Sequence, residues 1–180
     1  RPLSREALRG AAAAGGRDGL FAVRWKALAD AGTTPATTLD PDRAEVLEVV
    51  SAGRSAPQVL HETLHRIKQF LTDEDNADRT LLVVTRGALA VTGEDVTDLA
   101  ASGVTGLVRV AQTEHPGRIV LADLEPGTDL DTPRILSTGE PQLAVRAGIT
   151  HVPRLTRTTT DPDTGTGTPD APSTGTRAPS

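Results

Sequence analysis

The sequence predicts an α/β fold, an open and mostly parallel sheet flanked by helices, from three observations. Leu81-Leu82-Val83-Val84 and Ile119 to Leu124 are short unbroken apolar runs bounded by polar residues, the pattern of central strands buried on both faces. Leu60, Leu64, Ile67 and Leu71 recur at helical spacing before the first run, and Leu99, Val104, Leu107, Val108 and Ala111 form a second helical set between the two. Strand and helix therefore alternate, and parallel neighbours need a helix-length crossover between them.

In chain order, Ser4 can cap a helix over Arg5 to Ala14 that Gly15-Gly16 would stop; its Ala run offers little core to bury, so it reads as a connector. Leu20 to Leu28 alternates, with Phe21, Val23 and Trp25 against Ala22, Arg24 and Lys26, which predicts a strand. Asp30 to Pro41 is loop-like. Ala44 to Val50 reads as a strand, with a short helix as the alternative. Ser55 can cap the next helix, Pro57 fits its first turn, and Asp73-Glu74-Asp75-Asn76 ends it. The second helix breaks at Pro116-Gly117. Thr132 to Ser137 makes a helical turn, and Gln142 to Val145 and Ile149 to Leu155 are strands joined at Ala147-Gly148. Thr156 to Ser180 holds no Leu, Ile, Val or aromatic residue and cannot offset its ordering entropy by burial, so it reads as a flexible, disordered linker. Right-handed crossovers turn this order into a small, truncated Rossmann-like sheet. The chain has no internal repeat.

Composition narrows the function. Of 180 residues, about 150 remain for one core. The net charge is -5 with no basic stripe, and one Trp and two Phe offer no stacking platform, which argues against nucleic acid. With no Cys there is no disulfide, thiolate metal site or Cys nucleophile. No apolar run reaches membrane-spanning length and no signal peptide opens the chain, so the expectation is a cytoplasmic protein without membrane contact. The absence of Met points to a piece of something longer.

A Rossmann-like sheet binds dinucleotide through Gly-rich sequence between a strand and its helix. No G-x-G-x-x-G and no P-loop occurs, and Gly165-x-Gly167 lies in the low-complexity tail. A short-chain reductase also needs a Tyr to protonate the ketone oxygen, and the chain has none. One motif does suggest chemistry: His61-Glu62-Thr63-Leu64-His65 matches H-E-x-x-H on the first predicted helix, where two His one turn apart can grip Zn²⁺ while Glu62 activates water. A catalytic zinc needs a third protein ligand, and none stands at the downstream spacings of that motif. The plainer reading is a polar flank beside the Leu60/Leu64/Ile67/Leu71 stripe. His115 fits the C-terminal cap of its helix. Arg86 and Arg109 are candidates for an anion, with ion pairing the commoner fate. Asp123 ends a buried strand, where it caps or pairs locally. No Ser has the context of a nucleophile elbow.

Several segments, in order, resemble the structural subdomain of ketoreductases from modular type I polyketide synthases. Arg1-Pro2-Leu3-Ser4 is similar to the trailing edge of a preceding dehydratase domain, and Leu20-Phe21-Ala22-Val23-Arg24-Trp25 to the family's opening strand. Ile67 to Glu74 resembles its mid-domain helix end. Leu82-Val83-Val84-Thr85-Arg86-Gly87-Ala88, and Gly106-Leu107-Val108-Arg109 through Asp123-Leu124, carry the resemblance furthest. Gly139 to Arg146 and Pro153-Arg154-Leu155 close the domain. The family usually has Trp where Thr105 stands, and the region from Trp25 to Ala44 is short for it, which implies a smaller sheet than usual.

The resemblance implies three regions: a linker at 1–19, a ketoreductase structural subdomain at 20–155 and a linker at 156–180. It also implies a function. In that family a truncated, cofactor-free half braces a second half, which holds NADPH and the catalytic Tyr and reduces β-ketoacyl chains on acyl carrier protein. This chain is then expected to have no catalytic, cofactor or metal residues of its own. Its partners would be the catalytic half, neighbouring synthase domains and the carrier protein. The competing functions are a zinc-dependent hydrolase on His61, Glu62 and His65, and a free-standing nucleotide or small-molecule binder on the same sheet. The bracing surface is expected on the helix from about Leu99 to Glu114. With Val104, Leu107 and Ala111 turned to the sheet, the other side carries Gly103, Gly106, Val108, Arg109 and Val110 and is unusually poor in charge.

Overall fold

The computed structural model describes residues 21–30 and 39–157. Its elements are β1 (Phe21–Ala27), β2 (Ala44–Glu48), α1 (Ala56–Thr72), β3 (Thr80–Arg86), α2 (Leu99–Glu114), β4 (Ile119–Leu124), α3 (Thr132–Ser137), β5 (Gln142–Arg146) and β6 (Ile149–Arg157). Short 3-10 turns stand at Leu28–Asp30, Pro41–Arg43 and Glu74–Asn76. The described strands form one sheet in the order β1-β6-β5-β4-β3-β2. β2, β3, β4 and β5 pair in parallel, and β6 returns antiparallel to β5. The larger of the chain's two units spans Val23–Leu155. In the smaller one, the Arg157 guanidinium lies over the Phe21 ring, 5.7 Å from its centroid.

Each expected strand and helix inside the described residues is present. The Ala44 to Val50 segment is a strand and not a helix. The helix expected over Arg5 to Ala14 and the linker at 1–19 lie outside the described residues. So does the C-terminal linker, except at its start: β6 runs on to Arg157, taking in Thr156 and Arg157. Ladder pairing uses backbone groups and does not require the apolar side chains whose absence marked the linker's start.

Period-two alternation on the central strands builds two core layers. Leu81, Val83, Ile119 and Leu121 face α1 and α2 and meet Val59, Ile67, Phe70, Val104, Val108 and Ala111. Leu82, Val84, Val120, Ala122, Leu124, Leu143, Val145 and Val152 face the other way and are covered by Ile135 and Leu136 of α3, with Leu28, Leu39 and Leu130 at the margin. The face of α1 differs from expectation. Its fully buried residues are Val59, Thr63, Ile67 and Phe70, whereas Leu60, Leu64 and Leu71 are half-buried. Thr63 enters the core because its hydroxyl donates to the Val59 carbonyl at 2.8 Å, so no buried polar group is left over.

The helix ends follow local chemistry. Ser55 is the N-cap of α1, and both its N–H and its hydroxyl donate to Gln58 Oε1 at 2.9 Å. Asp73 closes that helix and turns the chain into the next bend, its carboxylate accepting from Asp75 N at 3.0 Å. The β5–β6 turn has φ of 47° at Ala147 and 74° at Gly148. Positive φ at both central positions is the type I′ form of a two-residue hairpin, which suits Gly148 and makes Ala147 a strained exception.

Candidate functional site at the carboxyl edge of the sheet

Parallel α/β sheets bind ligands beyond the carboxyl ends of their strands. Here β3, β4 and β5 end at Thr85-Arg86, Asp123-Leu124 and Arg146, and register sets Thr85 opposite Asp123. Asp123 is fully buried. Its Oδ1 accepts from Thr85 Oγ1 at 2.7 Å and from Ala88 N at 3.0 Å. Its Oδ2 accepts from Leu89 N at 3.3 Å and from Arg146 Nη2 at 2.5 Å. A carboxylate is thus held by a charge partner and three further donors, which is what makes a buried charge tolerable.

Arg146 is equally complete. Its Nε donates to Glu94 Oε1 at 2.6 Å, Nη1 to the Asp123 and Val145 carbonyls at 3.0 Å, and Nη2 to the Leu89 carbonyl at 2.7 Å besides Asp123. Five N–H groups find five acceptors. Burial works to lower the Arg146 pKa, but the bonds it donates to Asp123 and Glu94 hold it above its ordinary value. Burial likewise works to raise the Glu94 pKa. The Arg146 bond and donors in its own turn, Thr92 among them, outweigh this and keep it well below the usual carboxylate range. Val91 N at 3.0 Å and Thr92 N at 2.7 Å point at the same carboxylate.

These contacts fasten the loop between β3 and α2 over the strand ends. Gly87 N donates to the Leu124 carbonyl at 2.9 Å, and the Gly87 carbonyl accepts from Thr97 N and Asp98 N at 2.9 and 3.0 Å. Gly87 has φ of 63°, and a Cβ there would lie 2.1 Å from Thr97 Oγ1, so only glycine fits. The N-terminus of α2, the natural place for a phosphate, is capped from within. Asp98 Oδ1 accepts from Ala101 N at 2.9 Å, and Asp98 Oδ2 accepts from the Ser51 hydroxyl. Ala88 N, Leu89 N and Ala101 N, donors of the kind an external anion could use, are thus bonded to the protein's own carboxylates.

The family described as "Polyketide synthase extender module SpnB, Rossmann fold domain" matches residues 3–155. This chain belongs to that family. It is a Rossmann-fold region of the polyketide synthase kind. Polyketide synthase GfsA of Streptomyces halstedii is 40% identical over 197 residues, covering 87% of this chain and 3% of that protein. Mycoketide-CoA synthase of Mycobacterium tuberculosis is 41% identical over 160 residues, covering 86% of this chain and 4% of that protein. The chain thus spans only a few per cent of these relatives. The solved structure of a C2-type ketoreductase from a modular polyketide synthase aligns with a TM-score of 0.51 at 24% identity, over 77% of this chain and 44% of that one, which shows the fold.

In this Rossmann region the sequence-derived candidates fare unequally. His61, Glu62 and His65 lie on the exposed side of α1. Glu62 is bound by Arg54, and among the described residues no cluster of three metal-ligating side chains forms. Nothing supports the zinc hydrolase. Asp123 does pair locally, as expected. Arg86 is tied to the Thr128 carbonyl at 2.5 Å and to Glu48 at 3.4 Å. His115 occupies the C-cap of α2, but through its backbone, whose N–H donates to the Ala111 carbonyl at 2.9 Å.

On α2 the inward set is Ala101, Val104, Thr105, Val108 and Ala111, with Leu107 half-buried. Val108, expected on the outer side, is fully buried in the core and is no surface residue. Gly103 faces α1, where a Cβ would stand 3.3 Å from Leu60 Cδ1. Gly106 and Val110 are exposed, and a Cβ on Gly106 would meet nothing within 4 Å. Arg109 reaches back to Gln142 Oε1 at 3.0 Å. Sequence reasoning missed Glu94, Asp98 and Arg146 altogether. The available signal was Thr85 and Asp123, polar residues inside otherwise apolar strands, which demand buried partners. Among the described residues no helix is long and apolar enough to cross a membrane.

Proposed function

We propose that this chain is the non-catalytic structural half of a polyketide synthase ketoreductase. It braces a separate half that binds NADPH and reduces β-ketoacyl chains borne on acyl carrier protein. The observation that carries this reading is the filled carboxyl edge of the sheet, where Asp123 and Asp98 take the donors a cofactor phosphate would need. Topology supports it as well. Open sheets form their nucleotide crevice where strand order reverses, and β2, β3, β4 and β5 follow one another without reversal. With no Tyr in the sequence, the proton donor of a short-chain reductase has no candidate here.

The bracing surface in this reading is the outer side of α2. Leu99 and Val110 are 77% and 58% exposed, and Gly106 lets a partner helix approach closely. Beside them α1 and α2 leave a shallow apolar groove lined by Leu64, Leu71, Leu107 and Val110. Exposed apolar surface of this kind marks an interaction site. The experiment is calorimetry with NADPH together with NADPH oxidation in the presence of a diketide thioester. Neither binding nor turnover is expected. Micromolar affinity, or turnover above blank, refutes the non-catalytic reading.

A further inference from the structure

We infer that the carboxyl edge of the sheet contains a preformed receptor for one small carboxylate, of which the Asp123 side chain is the resident ligand. For its functional meaning the inference rests on the non-catalytic reading, since it says what occupies the edge in place of a cofactor.

Four donors converge on the two carboxylate oxygens, two on each: Thr85 Oγ1 and Ala88 N on Oδ1, Leu89 N and Arg146 Nη2 on Oδ2. The Thr85 backbone, the chain at Ala88 and the Arg146 guanidinium are placed by contacts other than the carboxylate. Thr85 is set by the β3–β4 ladder. Ala88 follows Gly87, whose N–H and carbonyl are bonded to Leu124, Thr97 and Asp98. Of the five bonds made by Arg146, only one goes to the carboxylate; those to Glu94 and to the Asp123, Val145 and Leu89 carbonyls do not need it. Removing the carboxylate therefore leaves a donor-lined space, with Arg146 still held by Glu94, that is already organised, and preorganisation is what makes a small ligand bind.

The space fixes the ligand class. Asp123→Ala keeps the Cβ and lacks only the carboxylate, a deficit the size of formate. Asp123→Gly lacks the whole side chain, a deficit the size of acetate. Phosphate brings four oxygens to a space that held two.

The test is thermal unfolding of the wild type, Asp123→Ala, Asp123→Gly, Asp123→Asn and Asp123→Ala/Arg146→Met in formate, acetate, phosphate or chloride at equal ionic strength. The Tm of Asp123→Ala should rise with the logarithm of formate concentration above the Kd, by roughly 5 °C at ten times that Kd, and that of Asp123→Gly likewise with acetate. The wild type, Asp123→Asn and the double variant should show only the change that chloride also produces. If Asp123→Ala is unfolded in chloride, recovery of a cooperative transition in formate is the same positive result. Equal responses to formate and chloride overturn the inference, as does a formate response that survives loss of Arg146. So does an Asp123→Ala chain that stays unfolded at every formate concentration. NADPH calorimetry on the wild type tests only the non-catalytic reading, so the two can fail separately.

Discussion

Arg146→Met should be among the most damaging single substitutions in this domain. Methionine fills much the same length but removes the guanidinium that bridges β5, β4 and the β3–α2 loop. Asp123, fully buried, keeps Thr85, Ala88 N and Leu89 N but loses its counter-charge, and the Leu89 and Asp123 carbonyls lose a donor. Breaking one side of a buried ion pair typically costs about 3 to 5 kcal/mol. For a domain of this size that is a Tm drop of roughly 10 to 20 °C. Urea unfolding followed by far-UV circular dichroism reads the same loss as a shifted midpoint at constant slope. The double variant Arg146→Met/Asp123→Asn separates charge from packing. Asparagine keeps an acceptor for Thr85 and Ala88 but carries no charge, so the double should be more stable than Arg146→Met by at least about 1 kcal/mol. A single variant within about 1 kcal/mol of wild type, or a double no better than the single, would refute this account of the cluster.

Three further outcomes follow, one from Glu94 in the same cluster and two from α2. Glu94 has a folded-state pKa held below its ordinary 4.5, so its contribution is complete above that pH and is lost as pH falls through the depressed value. Acid titration of stability should therefore be shallower below pH 4.5 in Glu94→Gln than in wild type, and parallel curves would show that the Glu94–Arg146 contact contributes nothing to acid stability. On α2, Gly106→Trp should leave the Tm within about 3 °C of wild type while weakening pull-down of a co-expressed catalytic half. Gly103→Trp should destabilise the domain itself, because even a Cβ there presses on Leu60. Equal loss of stability in both would place Gly106 in the core and remove the proposed bracing face.

The sequence by itself determined the element order within the described residues. Unbroken apolar runs have few realisations other than strands buried on both faces, and Ser55, Pro57 and Pro116-Gly117 punctuate the helices through local backbone chemistry. It also settled that no Tyr is present to serve as a proton donor. Helix facing was beyond it. On α2, both Val104/Leu107/Ala111 and Val104/Val108/Ala111 satisfy a 3.6-residue period, and only the neighbouring sheet and α1 decide that Val108 goes inside and Gly103 meets Leu60. The filled carboxyl edge lay further out of reach. Arg146 meets Asp123 across 23 residues of chain and Glu94 across 52. Periodicity reports each residue's side of its own element, whereas such pairs exist only once the sheet register and the folded-back loop bring three distant segments to one point.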